Sequence, residues 1–227
     1  MKFSPPELEV VFKPGARYRW PDGREPEIEV VDGGMLYLPT GRLVVCDPFW
    51  GSEIERQCAP FLVVVEPGRY PVSVSRLRWD QSNHPRIPAP IRRGAAAKIA
   101  IRDEPVVKWE MALRPGQDPG ELKPGEIFGF GVDAGTGGFF DAAAVAAMGT
   151  FVEPDSPEYP RILHDLWENT VLNISLDKES GLNAVLFNCG MGDGLYPTWI
   201  GHTAAGEPAC FVADLELLSH SMGPIEN

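Results

Sequence analysis

Phe61-Leu-Val-Val-Val65, Glu66-Pro-Gly-Arg69 and Tyr70-Pro-Val-Ser-Val74 follow one another without interruption. Two apolar, β-branched runs flank a Pro-Gly pair that suits the central positions of a type II turn, so this stretch predicts a hairpin. The same grammar recurs in both directions. Residues 95–101 and 106–113 bracket Asp103-Glu-Pro105, and in the second run Val107, Trp109, Met111 and Leu113 alternate with Lys108 and Glu110. A period of two places the first set on one buried face. Residues 195–202 and 209–217, joined by Ala204-Ala-Gly-Glu-Pro208, predict a final hairpin, and the unbroken Ala184-Val-Leu-Phe187 predicts a strand buried on both sides.

Helical signals are few. Asp141 precedes Ala142-Ala-Ala-Val-Ala-Ala-Met148 and Gly149, a cap, a short helix and a glycine stop. Ser156 and Pro157 open a second helix in which Tyr159, Ile162, Leu163, Leu166 and Trp167 repeat at helical spacing. Pro160 is tolerable there only within the first turn. About eleven strands and two helices follow from this reading. The fold class is mainly β (α+β): a two-layer β-sandwich or a strongly curved antiparallel sheet with two short helices.

The chain has 227 residues, enough to bury a core without metal or disulfides. Residues 1–34 carry short runs punctuated by Lys13-Pro-Gly15, Pro21-Asp-Gly23 and Asp32-Gly-Gly34 and read as an arm or edge layer, leaving 35–227 as one β-rich domain. A formal charge of −12 argues against nucleic acid as the main partner and suits solubility, or attraction of a cationic ligand or basic protein. Arg76, Arg78, Arg86, Arg92, Arg93 and Lys98, interleaved with Trp79 and His84, read as strand-edge and loop charges. The four cysteines lack Cys-x-x-Cys spacing and a partnering histidine pair, which argues against zinc. With no secretory segment and no long apolar run, the expectation is a cytoplasmic protein, away from membranes, with buried thiols.

Chemistry concentrates in two glycine-and-aspartate segments, Phe128-Gly-Phe-Gly-Val-Asp-Ala-Gly-Thr-Gly-Gly-Phe-Phe-Asp141 and Asn188-Cys-Gly-Met-Gly-Asp-Gly-Leu-Tyr-Pro-Thr-Trp-Ile-Gly201. Neither matches an EF-hand loop or a dinucleotide fingerprint. If their strands are neighbours, Asp133, Asp141 and Asp193 converge, together with Glu110 or Asp214, and hold a divalent cation through oxygen ligands. In the other reading Asp141 caps a helix, Asp193 closes a turn and Asp133 bonds loop amides. Asp133, Asp193 and Glu110 are the candidate catalytic groups, while Asp141, Thr136, Gly137, Gly192, Tyr196 and Trp199 are the candidate ligand contacts. Cys189 reads as a small buried residue or, with a basic partner, a nucleophile.

These segments, with Gly41-Arg-Leu-Val-Val-Cys-Asp-Pro48, Pro67-Gly-Arg-Tyr-Pro-Val72 and Trp109-Glu-Met-Ala112, resemble the bacterial domain of unknown function 4241. The resemblance covers roughly residues 35 to 217 and implies a self-contained intracellular domain. Where members look to have serine, this chain has Cys189, and the resemblance assigns no catalytic residue. The functional expectation is an acidic, aromatic-walled pocket for a small polar or cationic ligand or a divalent ion. A hydrolase using the same carboxylates to activate water, with or without a metal, and an immunity-type module binding a basic protein are the other two readings.

Overall fold

The computed structural model describes residues 8–80, 90–153 and 156–225, so His84 and Arg86 of the basic cluster lie outside the described residues. In chain order the strands are β1 (Glu27–Leu38), β2 (Leu43–Cys46), β3 (Gly68–Trp79), β4 (Ile91–Ala100), β5 (Lys108–Met111), β6 (Phe130–Val132), β7 (Thr136–Asp141), β8 (Val171–Ser175), β9 (Asn183–Asn188), β10 (Gly194–Tyr196), β11 (Thr198–His202) and β12 (Pro208–Asp214). The α-helices are α1 (Ile54–Gln57), α2 (Val145–Phe151) and α3 (Glu158–Asn169). Every pairing is antiparallel. A six-stranded sheet has the order β1-β3-β4-β12-β11-β5, a four-stranded sheet the order β2-β7-β9-β8, and β10 and β6 form a separate ribbon. The expected mainly β sandwich is therefore the architecture.

The two large sheets meet face to face. Leu36, Val74, Ile99, Phe211 and Ile200 of the six-stranded sheet pack in one cluster with Leu43, Val45, Phe139, Val185 and Phe187 of the four-stranded sheet. Each fully buried side chain of this size stabilises the fold by about 1.5–3 kcal/mol relative to exposure. The other face of the smaller sheet carries Val44, Phe140, Ala184 and Leu186 against Ile54, Val145, Met148, Ile162 and Leu166 of the helices. Alternation in β9 thus feeds two cores, which is why Ala184-Val-Leu-Phe187 has no polar residue. The outer face of the larger sheet is covered by Leu8, Val11 and Tyr18 from the N-terminal segment and by Leu217.

Several local expectations are corrected. Residues 61–65 are not the partner of β3: the amides of Phe61, Leu62 and Val65 donate to the carbonyls of Leu43, Leu113 and Gly41, at 3.0, 2.8 and 2.9 Å. The run is an extended strap that ties the ends of β2 and β5. It keeps a two-residue period, with Phe61 and Val65 buried and Leu62 and Val64 each 56% exposed, but lacks a ladder. Likewise β4 and β5 do not pair with each other; β4 lies between β3 and β12, and β5 pairs with β11. Of the expected buried face of 106–113, Met111 is buried and Trp109 and Leu113 are partly buried against the same cluster, while Val107 is 63% exposed. Runs 27–31 and 35–38 join into one strand with an irregularity between Asp32 and Gly34. The final hairpin is present as β11 and β12.

Both expected helices form. Asp141 caps the first, its carboxylate accepting from the Ala143 amide at 2.8 Å. Gly149 does not stop it: a Cβ there would stand 2.8 Å from Ile54 Cγ2 and 2.9 Å from the Gly51 carbonyl, so glycine permits contact with the preceding turn. At the start of α3 the Ser156 hydroxyl accepts from the Tyr159 amide at 3.3 Å. Cys46 and Cys58 form a disulfide, with Cα atoms 5.7 Å apart, which corrects the expectation of four buried thiols; Cys189 and Cys210 are free. Among the described residues no helix is long and apolar enough to cross a membrane.

Candidate functional site

The two glycine segments come together at one end of the sandwich. β6 and β10 pair antiparallel, Val132 facing Gly194 and Phe130 facing Tyr196. Just beyond them, the Cys189 amide donates to the Gly135 carbonyl at 2.8 Å, and the Gly135 amide donates to Asp193 Oδ1 at 3.1 Å. Gly135 and Gly192 have φ of +61° and +87°, a left-handed conformation that costs glycine little.

Beneath these bends lies a residue that was not among the candidates from sequence. Asp47 is 1% exposed, and its Oδ2 accepts from the Asp133 and Ala134 amides, each at 2.8 Å, while Oδ1 accepts from the Phe49 amide at 2.9 Å. Burial pushes its pKa up, opposed by those three bonds. The first bend is therefore held by a buried acceptor with fixed geometry, and the second is tied to the first through Asp193.

The structure separates the nominated residues. Asp133 and Asp193 reach the shared end, both exposed. Asp141 does not: it closes the far end of β7, five positions from Thr136, about 17 Å at the usual rise of a strand. It is fully buried and accepts from the Thr40 amide at 3.0 Å, the Thr40 hydroxyl at 2.7 Å and the Ala143 amide. The three-aspartate cation site is thus not assembled, because one member is committed to capping, and no group of three metal-ligating side chains occurs among the described residues. Thr136 is buried and donates to the Ala134 carbonyl at 3.2 Å. Gly137 is buried, and a Cβ there would stand 2.5 Å from the Phe187 ring, so close packing in the core accounts for the glycine. Tyr196 is buried, donating to the Gly192 carbonyl at 2.8 Å, with burial raising its pKa.

Glu110 and Trp199 belong elsewhere, beside a cavity of about 670 Å³ at the β5 edge of the larger sheet. Glu110 is bonded to His202 at 2.8 Å and Lys108 at 2.9 Å; burial alone would raise its pKa, but those two partners hold the carboxyl below the usual carboxylate range. Glu110 thus lines a different cavity from the cleft at the glycine bends that carry Asp133 and Asp193.

What the glycine bends do create is a cleft of about 380 Å³ against α3, lined among others by Arg93, Gly135, Trp167, Asn188, Cys189 and Gly192. The Arg93 guanidinium lies 4.4 Å from the Trp167 ring centroid and donates to the Arg92 carbonyl at 3.2 Å. Among the described residues it forms no ion pair, and burial lowers its pKa, though arginine stays cationic at neutral pH. Asn188 braces the floor: its Oδ1 accepts from the Gly94 amide at 2.8 Å and its Nδ2 donates to the Leu166 carbonyl at 3.3 Å. Cys189 is buried, which disfavours the thiolate that a nucleophile needs. Burial, with the nearby charges of Asp47 and Asp193, pushes its thiol pKa well up.

Arg93 and Trp167 were absent from the sequence-derived site. Arg93 sat among edge charges, and Trp167 fell in the apolar repeat of a helix, where burial was expected. Trp167 is 49% exposed, the last position of the stripe, and leans over the cleft instead of the core.

In the comparison with known proteins, the family profile described as "Protein of unknown function (DUF4241)" matches residues 36–213. No curated protein matches the chain, and no solved structure matches it.

Proposed function

We propose, for a chain that belongs to the DUF4241 family, that the cleft between α3 and the glycine bends binds a small molecule carrying a carboxylate or phosphate group. The observation that carries this reading is Arg93: a guanidinium stacked on Trp167, partly buried, without a carboxylate partner among the described residues. Its planar fork matches an oxyanion in two parallel hydrogen bonds, and partial desolvation strengthens them. Glycine at 135 and 192, where an added Cβ would meet open space or only a distant backbone atom, removes side chains that would keep a ligand from the backbone. The volume is at the small end of ligand sites, which favours a metabolite-sized occupant. The polarity is the reverse of the cationic ligand expected from the net charge, because among the described residues no carboxylate lines the cleft.

The test is a thermal-shift and calorimetric comparison of inorganic phosphate, citrate and a nucleoside monophosphate, with spermidine as the cationic control. At least one anion is expected to stabilise the protein and spermidine not, and Arg93→Gln is expected to weaken that binding at least about tenfold while the fold is kept. No response to any of the three anions, or a response undiminished in Arg93→Gln, overturns the reading.

A further inference from the structure

β5 is the last strand of the six-stranded sheet and pairs on one side only, with β11. In an antiparallel ladder alternate residues turn their N–H and C=O toward the same neighbour. The Ala112 amide donates to the Thr198 carbonyl at 2.8 Å, so by register Lys108 and Glu110 also bond toward β11, while Trp109 and Met111 turn theirs outward. No strand among the described residues takes that edge; the Val107 amide turns back to the His202 carbonyl and the Leu62 amide takes the Leu113 carbonyl, each at 2.8 Å, which leaves Trp109 and Met111 as its open stretch. Around it stand exposed apolar side chains, Val107 at 63% and Leu62 at 56%.

Edges of this kind are commonly guarded by charge, which works by like-charge repulsion. The guard here cannot repel its own copy. Lys108 and Glu110 lie on one face, one residue either side of Trp109. When a second β5 is laid antiparallel about a two-fold axis through Trp109, Lys108 of each copy falls opposite Glu110 of the other. Within one copy Lys108 and Glu110 pair with each other at 2.9 Å, and at 67% and 42% exposure they can exchange that pair for two pairs across the axis, while Glu110 keeps His202 at 2.8 Å. An isologous dimer needs a self-complementary patch, and Lys108-Trp-Glu110 has that property in this register alone.

We propose that β5 is the contact through which two copies of this chain associate, joining their six-stranded sheets edge to edge. The Trp109 amide and carbonyl of each copy bond to those of the other. Opposite charges flank that central pair, and the apolar residues beside the edge lose solvent.

Sedimentation equilibrium across the micromolar range tests this. Wild type is expected to approach twice the chain mass of 24.9 kDa. Glu110→Lys, which sets lysine against lysine on both sides of the axis, is expected to raise the dissociation constant at least about tenfold. The double variant Lys108→Glu with Glu110→Lys restores opposite charges and is expected to restore the dimer. Far-UV circular dichroism checks each fold, and Lys108→Glu supplies the same repulsion should Glu110→Lys not fold. A monomeric wild type, a single reversal that dimerises as tightly as wild type, or a double swap that stays monomeric each overturns the proposal.

Discussion

The Gly190 amide donates to the Gly94 carbonyl at 3.1 Å, and a Cβ on Gly190 would stand only 2.3 Å from that oxygen. The relation is reciprocal, since a Cβ on Gly94 would meet the Asn188 carbonyl at 2.1 Å. β4 of the larger sheet and the turn after β9 of the smaller one therefore approach backbone to backbone. Nothing larger than hydrogen fits on either side.

Gly94→Ala is accordingly expected to destabilise the protein by about 3 kcal/mol or more, because backbone cannot move aside as a side-chain tip can. Gly192→Ala, whose Cβ meets open space but whose φ is +87°, is expected to cost only about 1–2 kcal/mol. Urea unfolding of the two variants checks the order; equal losses would contradict it.

Asp47 and Asp133 invite a direct contrast. Asp47→Ala leaves three backbone amides without their acceptor in a buried site and is expected to cost about 2–4 kcal/mol. Asp133→Asn, at an exposed position, is expected to change stability by no more than about 0.5 kcal/mol. Parallel denaturation curves decide it.

Asp214 supplies a pH signature. Burial raises its pKa to about 6, only partly offset by the Glu216 amide that donates to it at 2.9 Å. The folded state thus holds this proton where the unfolded chain, near 3.8, has released it. Stability from this group is fully present below about pH 4 and lost as pH rises through about 6, by up to roughly 2–3 kcal/mol. Asp214→Asn is expected to keep the Glu216 contact, remove that slope and be more stable than wild type at pH 7. A pH series of melting curves on both proteins would reveal it.

The disulfide predicts a count. Thiol titration in denaturant is expected to find two reactive groups, Cys189 and Cys210, and to find four only after reduction. Reduction is expected to lower stability by about 3 kcal/mol, as for a loop of this size. Because Cys46 precedes Asp47, the first glycine bend should be the region that gains amide exchange most.

The β architecture was legible because alternation and turn residues are local signals. Ala184-Val-Leu-Phe187 and the β11–β12 hairpin could be read directly, and so could the cap at Asp141. Pairing was not legible: residues 61–65 carry every mark of a strand, yet their amides find β2 and β5, a choice made by sheet stacking. The meeting of the two bends followed from their shared glycine-aspartate character, but which groups face the cleft did not. Arg93 lies 74 positions before Trp167 in sequence, and neither residue type announces a site alone. Asp141 shows the opposite failure, a residue conspicuous in sequence whose carboxylate is wholly occupied by Thr40 and Ala143.

The strap at residues 61–65 bears on how the molecule comes apart. Its amides grip β2 of one layer and the end of β5 in the other, so neither layer can peel away while its mate stays intact. Unfolding should then proceed as one concerted event, with a single calorimetric peak and no half-denatured species to feed aggregation.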